Sequence, residues 1–170
     1  MLDGNHKAVA MSQLITKESD MNAKDFKALV ELVGKADEAR CNPEGWNKYP
    51  IIFEFITKKE ALDWLNFSES GMDFIGEDSH AYVYCGDKFY SDEEITPSIL
   101  RKADYIEMSW ADGYSFYVGK NCDCKALEDA FWSSVGWHLN SMIEWDEMDE
   151  SILKEIADVL GTTIEDLKAA

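Results

Sequence analysis

The chain first shows short runs in which apolar residues recur at two different periods. From Asn22 to Arg40, Phe26, Leu29, Val30, Val33 and Ala36 return every three to four residues, the period of a helix with one buried face. Asn22 stands where an N-cap belongs, with Asp25 three residues on. Cys41 to Pro50 is rich in Pro, Gly and Asn and reads as a loop. Ile51 to Ile56 is β-branched and aromatic, as a strand is. Thr57-Lys-Lys-Glu60 has the spacing of a capping box, and Ala61, Leu62, Trp64 and Leu65 continue a short helix. Residues 68–79 form a polar loop with an apolar centre.

Two hairpins and three helices follow. Ala81 to Cys85 is a strand, and Gly86-Asp87 turns it into Lys88-Phe89-Tyr90. Thr96-Pro97 starts a short helix through Lys102. Tyr105 to Trp110 and Tyr114 to Val118 are strands around Ala111-Asp112-Gly113, whose Asp-Gly pair is the strongest hairpin signal in the chain. One long helix is expected from Lys125 to about Trp145. Leu127, Phe131, Val135, Leu139 and Met142 form its stripe, widened by Trp132, His138 and Ile143. A last helix covers about Asp149 to Leu160 and stops at Gly161, and Thr162-Thr-Ile-Glu165 can cap a final turn. Hairpins followed by helices predict an α+β fold. The expectation is a single domain over residues 22–170: a mostly antiparallel sheet of about four to five strands, packed with an N-terminal helix and two C-terminal helices. Residues 1–21 lack a sustained period and read as a flexible arm, with Met11 and Met21 as alternative starts.

Composition sharpens this picture. The 170 residues are 46% hydrophobic, too apolar for a disordered acidic tail. No apolar run approaches the ~20 residues of a membrane helix. The opening lacks a basic segment followed by a long apolar one, so a cytoplasmic protein is expected.

Charge changes the reading most. There are 34 Asp and Glu against 16 Lys and Arg, a formal charge of −18. Residues 1–60 are nearly balanced, with 10 acidic and 9 basic side chains. Residues 61–100 carry 9 acidic and 1 basic, residues 101–120 carry 3 of each, and residues 121–170 carry 12 and 3. Two acidic blocks therefore flank a neutral stretch. Such a surplus repels itself and disfavours direct binding of nucleic acid, which needs Lys and Arg at phosphates.

Motifs for chemistry are sparse. Cys41, Cys85, Cys122 and Cys124 lack zinc-ligand spacing and are expected as reduced thiols, so no metal and no cofactor is expected. His80 precedes the Ala81 to Cys85 strand and Cys85 ends it, which keeps them apart, and His138 is expected to be packed in its helix, which leaves no cysteine nucleophile with a base. Two carboxylate clusters stand out: Asp92, Glu93 and Glu94, expected in a loop, and Glu144, Asp146, Glu147, Asp149 and Glu150, expected at a helix junction. Trp137 and Trp145 lie off the main stripe of their helix, beside the second cluster. Aromatics rimmed by carboxylates suit a protein interface.

Ile152 to Leu167 resembles the closing segment of helix-turn-helix repressor domains of the Xre type. The likeness covers about a tenth of the chain. It implies a helix, a glycine stop and a capped turn; without a matching recognition helix upstream it implies no DNA reading.

The functional expectation is an acidic inhibitor that binds a basic protein, a nuclease or nucleic-acid-binding complex. It would act as a DNA or RNA mimic, and is similar in size and charge to the anti-restriction and anti-CRISPR inhibitors of phages and mobile elements. The partner-binding candidates are the eight clustered carboxylates with Trp137 and Trp145. The alternatives are an immunity or antitoxin protein that covers a basic nuclease toxin around an aromatic anchor, and a small enzyme that uses a carboxylate pair. The sequence leaves the oligomeric state open.

Overall fold

The computed structural model describes residues 21–41, 44, 49–66, 80–110 and 113–169. The expected arm, most of the 41–50 loop, the 68–79 loop and the Ala111-Asp112 turn lie outside them. The fold is α+β, with a five-stranded, mostly antiparallel sheet. The chain divides into two compact units, Ile51–Ala126 and the combination of Met1–Pro50 with Leu127–Ala170.

The first unit holds the sheet. Its strands are β1 (Ile52–Phe55), β2 (His80–Cys85), β3 (Lys88–Ser91), β4 (Tyr105–Trp110) and β5 (Gly113–Val118), in spatial order β1-β5-β4-β2-β3. All neighbours are antiparallel except β1 and β5, which run parallel with Ile52 opposite Gly113. Two helices belong here, the second and third in chain order: α2 (Lys58–Asn66) and α3 (Pro97–Lys102). Thr57 and Glu60 cap α2 reciprocally: the Thr57 N–H donates to Glu60 Oε2 at 2.7 Å, and the Glu60 N–H donates to Thr57 Oγ1 at 3.2 Å. Thr96 caps α3 by accepting from the Ile99 N–H.

Strand alternation then assigns two faces. Ala81, Val83, Ile106 and Met108 point to one side, where Ala61 of α2, Leu100 of α3, Ile95 and Ala103 close a buried cluster over them. Each large apolar side chain buried there contributes about 1.5–3 kcal/mol. The other face carries Phe53, Phe55, Tyr82, Tyr84, Phe89, Tyr105, Glu107, Tyr114 and Phe116.

The second unit is helical: α1 (Ala23–Arg40), α4 from Cys124 to Ser133 with the unit boundary near its start, α5 (Val135–Glu144), α6 (Glu150–Leu160) and α7 (Ile164–Ala169). Asn22 caps α1 by accepting from the Asp25 N–H at 2.9 Å. The buried stripe Phe26, Leu29, Val30, Val33 and Ala36 packs α1 against α6 and α5. Phe26 meets Phe131 edge-on, with ring centroids 6.3 Å apart. Gly161 ends α6 in the left-handed region, at φ 67°.

One expectation is corrected. The long helix over 125–145 is two helices, broken at Ser134, whose φ and ψ are −123° and −80°. The Ser133 and Ser134 hydroxyls both donate to the Ala130 carbonyl, at 3.0 and 2.9 Å. The Ser134 N–H turns instead to Phe131, one residue short of the α-helical partner. Serine side chains compete with the helical ladder in this way. The predicted core stripe survives the break, with Leu127, Phe131, Val135, Leu139 and Met142 all buried.

Candidate functional site

The two predicted carboxylate clusters lie in different units. In the sheet unit, Asp92–Glu94 forms a single 3-10 turn after β3 where a loop was expected. Asp92 sits at φ 39°, in the left-handed region. Its carboxylate accepts from the Ala81 N–H at 3.0 Å and lies 3.2 Å from His80 Nδ1. Glu94 reaches back to accept from the Ser91 N–H at 3.1 Å. Both residues therefore hold the hairpin end together, and Glu93 faces solvent between them.

In the helical unit, the 144–150 junction is built by two rules acting in sequence. First, α5 ends in a Schellman motif. The Glu147 N–H donates to the Met142 carbonyl at 2.9 Å and the Asp146 N–H to Ile143 at 3.2 Å, with Asp146 left-handed at φ 53°. Then Asp149 caps α6, accepting from the N–H groups of Ser151 and Ile152 at 2.9 and 3.1 Å. The Ser151 hydroxyl, with these N–H groups, holds the Asp149 carboxyl below its ordinary value. Capping keeps that carboxylate ionised, so it still counts toward the surface charge.

Arg40, at the end of α1, fastens the junction from below. Its Nε donates to Asp37 at 2.7 Å and its Nη1 to Glu147. Asp37 is only 2% exposed. Burial works against the Arg40 charge, and Glu147 and Asp37 more than offset it. His138 lies close enough to feel both charges; burial is the largest influence on it and pushes its pKa down.

What the junction presents outward is aromatic and acidic. Trp145, the C-cap of α5, is 74% exposed, and Trp137 is 54% exposed. Glu144, Asp146, Glu147, Asp149 and Glu150 are exposed around Trp145 in sequence. At 3.6 residues per turn, Trp137, Ser141 and Glu144 share one side of α5, opposite the buried Leu139 and Met142. A flat ring as exposed as Trp145 supplies large apolar area for a partner at low entropic cost.

The remaining residues weighed from the sequence take structural places. The Cys85 thiol donates to the Ile99 carbonyl at 3.4 Å, and burial raises its pKa. Burial, then Asp37, raises that of Cys41. Both shifts run opposite to what a nucleophilic thiolate needs. Among the described residues no three His, Cys, Asp or Glu side chains gather as metal ligands. No helix of the described residues is long and apolar enough to cross a membrane.

Sequence reasoning missed two features of the sheet. Glu107, 2% exposed in the centre of the sheet, lies in the stretch whose charges sum to zero and drew no attention. Burial first, and Glu107 second, hold the Tyr105 hydroxyl well above its ordinary value. The aromatic face around it was also missed, though strand alternation in Tyr82-Val-Tyr84 and Tyr114-Ser-Phe116 carries the signal.

Comparison with protein-family models, with curated proteins and with solved structures gives no match.

Proposed function

We propose that this protein is an acidic inhibitor that binds a basic nucleic-acid-binding protein, a nuclease above all, through the 144–150 junction. Trp145 inserts into the partner, and Glu144, Asp146 and Glu150 pair with Lys and Arg around the insertion. The observation that carries this reading is Trp145 standing 74% exposed inside a run of carboxylates. The charge of −18 supports it at long range, because a surplus of one sign steers encounter with the opposite sign.

A groove built for nucleic acid holds cations spaced for phosphates, and carboxylates can occupy it. A mimic that relied on charge alone would have no need of an exposed indole. The exposed Trp145 therefore favours the anchored arrangement expected of an immunity or antitoxin protein over mimicry by charge alone.

The test is affinity purification from the native host at low and at high salt, followed by titration of the recovered partner. Trp145→Ala is expected to weaken binding about thirtyfold or more, as a hot-spot residue does. Glu150→Gln, on the rim, is expected to weaken it only about two- to fivefold. A complex that ignores both salt and Trp145→Ala excludes the proposal. One that ignores Trp145→Ala but dissolves in salt restores mimicry by charge alone.

A further inference from the structure

The sheet unit carries a second aromatic surface next to the other acidic cluster. On the β2–β3 hairpin, Tyr82 and Phe89 stack with centroids 5.7 Å apart and planes 17° apart. His80 continues the row at 6.5 Å from Tyr82, and Tyr84 closes it at 5.1 Å from Phe89. The pairing register explains the row: Tyr84 lies opposite Phe89, and Tyr82 lies opposite Ser91, so Tyr82 and Phe89 meet diagonally on one face. Phe89 is 48% exposed and His80 53% exposed. Lys88, the basic residue of the hairpin, points to the opposite face by alternation.

The surroundings of these rings are anionic. Asp92 lies against His80, and Glu93 is exposed beside it. Glu107, on the neighbouring strand β4, lies directly opposite Tyr82. Burial first, and then Asp92 and Glu107, hold the Tyr82 hydroxyl above its ordinary value. Exposed aromatic faces in a negative field suit a planar, weakly hydrated cation. Guanidinium satisfies that requirement better than ammonium, because it stacks on a ring while its edge donates to carboxylates.

We infer that the Tyr82–Phe89 row with Asp92 and Glu93 is a docking surface for arginine side chains of the basic partner. The inference rests on the function proposed above and names the chemistry of the partner that the hairpin reads. It adds a contact in the sheet unit to the Trp145 contact in the helical unit.

The experiment titrates the full chain with oligo-arginine and oligo-lysine peptides of equal length, so that charge is constant and stacking varies. The Trp137→Ala, Trp145→Ala double variant serves as background, so that the indoles contribute no preference. Oligo-arginine is expected to bind about three- to fivefold more tightly than oligo-lysine, the range of an exposed cation–π contact. The aromatic NMR signals of Phe89 and Tyr82 are expected to shift with arginine. Phe89→Leu, which keeps apolar bulk and removes the ring, is expected to erase the preference and leave the lysine affinity unchanged. Equal affinities for the two peptides, or a preference that survives Phe89→Leu without shifts at Tyr82, overturn the hairpin surface and leave the Trp145 proposal standing. Failure of both peptides to bind this double variant at low salt likewise overturns the hairpin surface and leaves the Trp145 proposal standing.

Discussion

Asp146 shows how one residue can serve the fold poorly and the surface well. It occupies the left-handed position at the end of α5, at φ 53°, where glycine is the usual occupant. A side chain there costs about 1–2 kcal/mol, less for Asp than for most. Glycine would relieve that strain and lose about 0.4–1 kcal/mol to added backbone freedom. Asp146→Gly is therefore expected to stabilise the protein by about 0.5 kcal/mol in urea denaturation. It removes one carboxylate beside Trp145, so the same variant is expected to bind the basic partner more weakly. At this scale the caps were legible. Asn22, Thr57, Thr96 and Gly161 each act where their local pattern places them. A cap depends on three or four neighbouring residues, all visible in the chain. Asp146 was read as surface charge alone, because a non-glycine residue in the left-handed region has no comparable local signature. Arg40 was missed for another reason: its contact with Glu147 spans 107 positions.

Gly113 makes the same point for an element. The sequence assigns it to the Asp-Gly turn between β4 and β5. The structure places it inside β5, opposite Trp110 on one side and Ile52 on the other. A Cβ at Gly113 would collide with the backbone carbonyl of Ile52, so glycine lets β1 approach at all. Gly113→Ala is expected to destabilise the protein by about 1–3 kcal/mol, the usual cost of forcing atoms into a closed space. The loss should appear first as faster hydrogen exchange at Ile56, whose N–H donates to Phe116 across the β1–β5 boundary at 2.8 Å. Unchanged exchange at Ile56 with unchanged stability would refute this role. The hairpins were legible because their partners are neighbours in the chain. The parallel β1–β5 pairing was not, since it joins segments separated by three other strands. The break at Ser134 was hidden by the regular apolar stripe, which runs unbroken through it and reports burial, not hydrogen bonding.

Across the whole molecule, the same carboxylates are expected to act on stability and on the proposed association with opposite signs. The net charge of −18 was plain from composition, and its use was only partly so. Asp92, Glu94 and Asp149 hold backbone N–H groups in place while keeping their negative charge at the surface. Glu107 is instead buried among tyrosines. No count of charges along the chain separates these roles, because burial and capping are set by the sheet register and the helix ends. The charges nonetheless share one long-range consequence. Raising ionic strength from about 0.01 to 0.15 M shortens the screening length from about 30 to 8 Å, which weakens repulsion between carboxylates on one molecule. The midpoint of thermal unfolding is therefore expected to rise by roughly 3–6 °C with sodium chloride, as a gain of on the order of 1.5 kcal/mol would give in a chain of this size. Over the same range the complex with the basic partner is expected to loosen, because its attraction is screened as well. A melting point that falls with salt would mean that attractive pairs such as Arg40–Glu147 outweigh the repulsion. The anionic surplus would then carry no cost to the fold, and no partner would be needed to account for it.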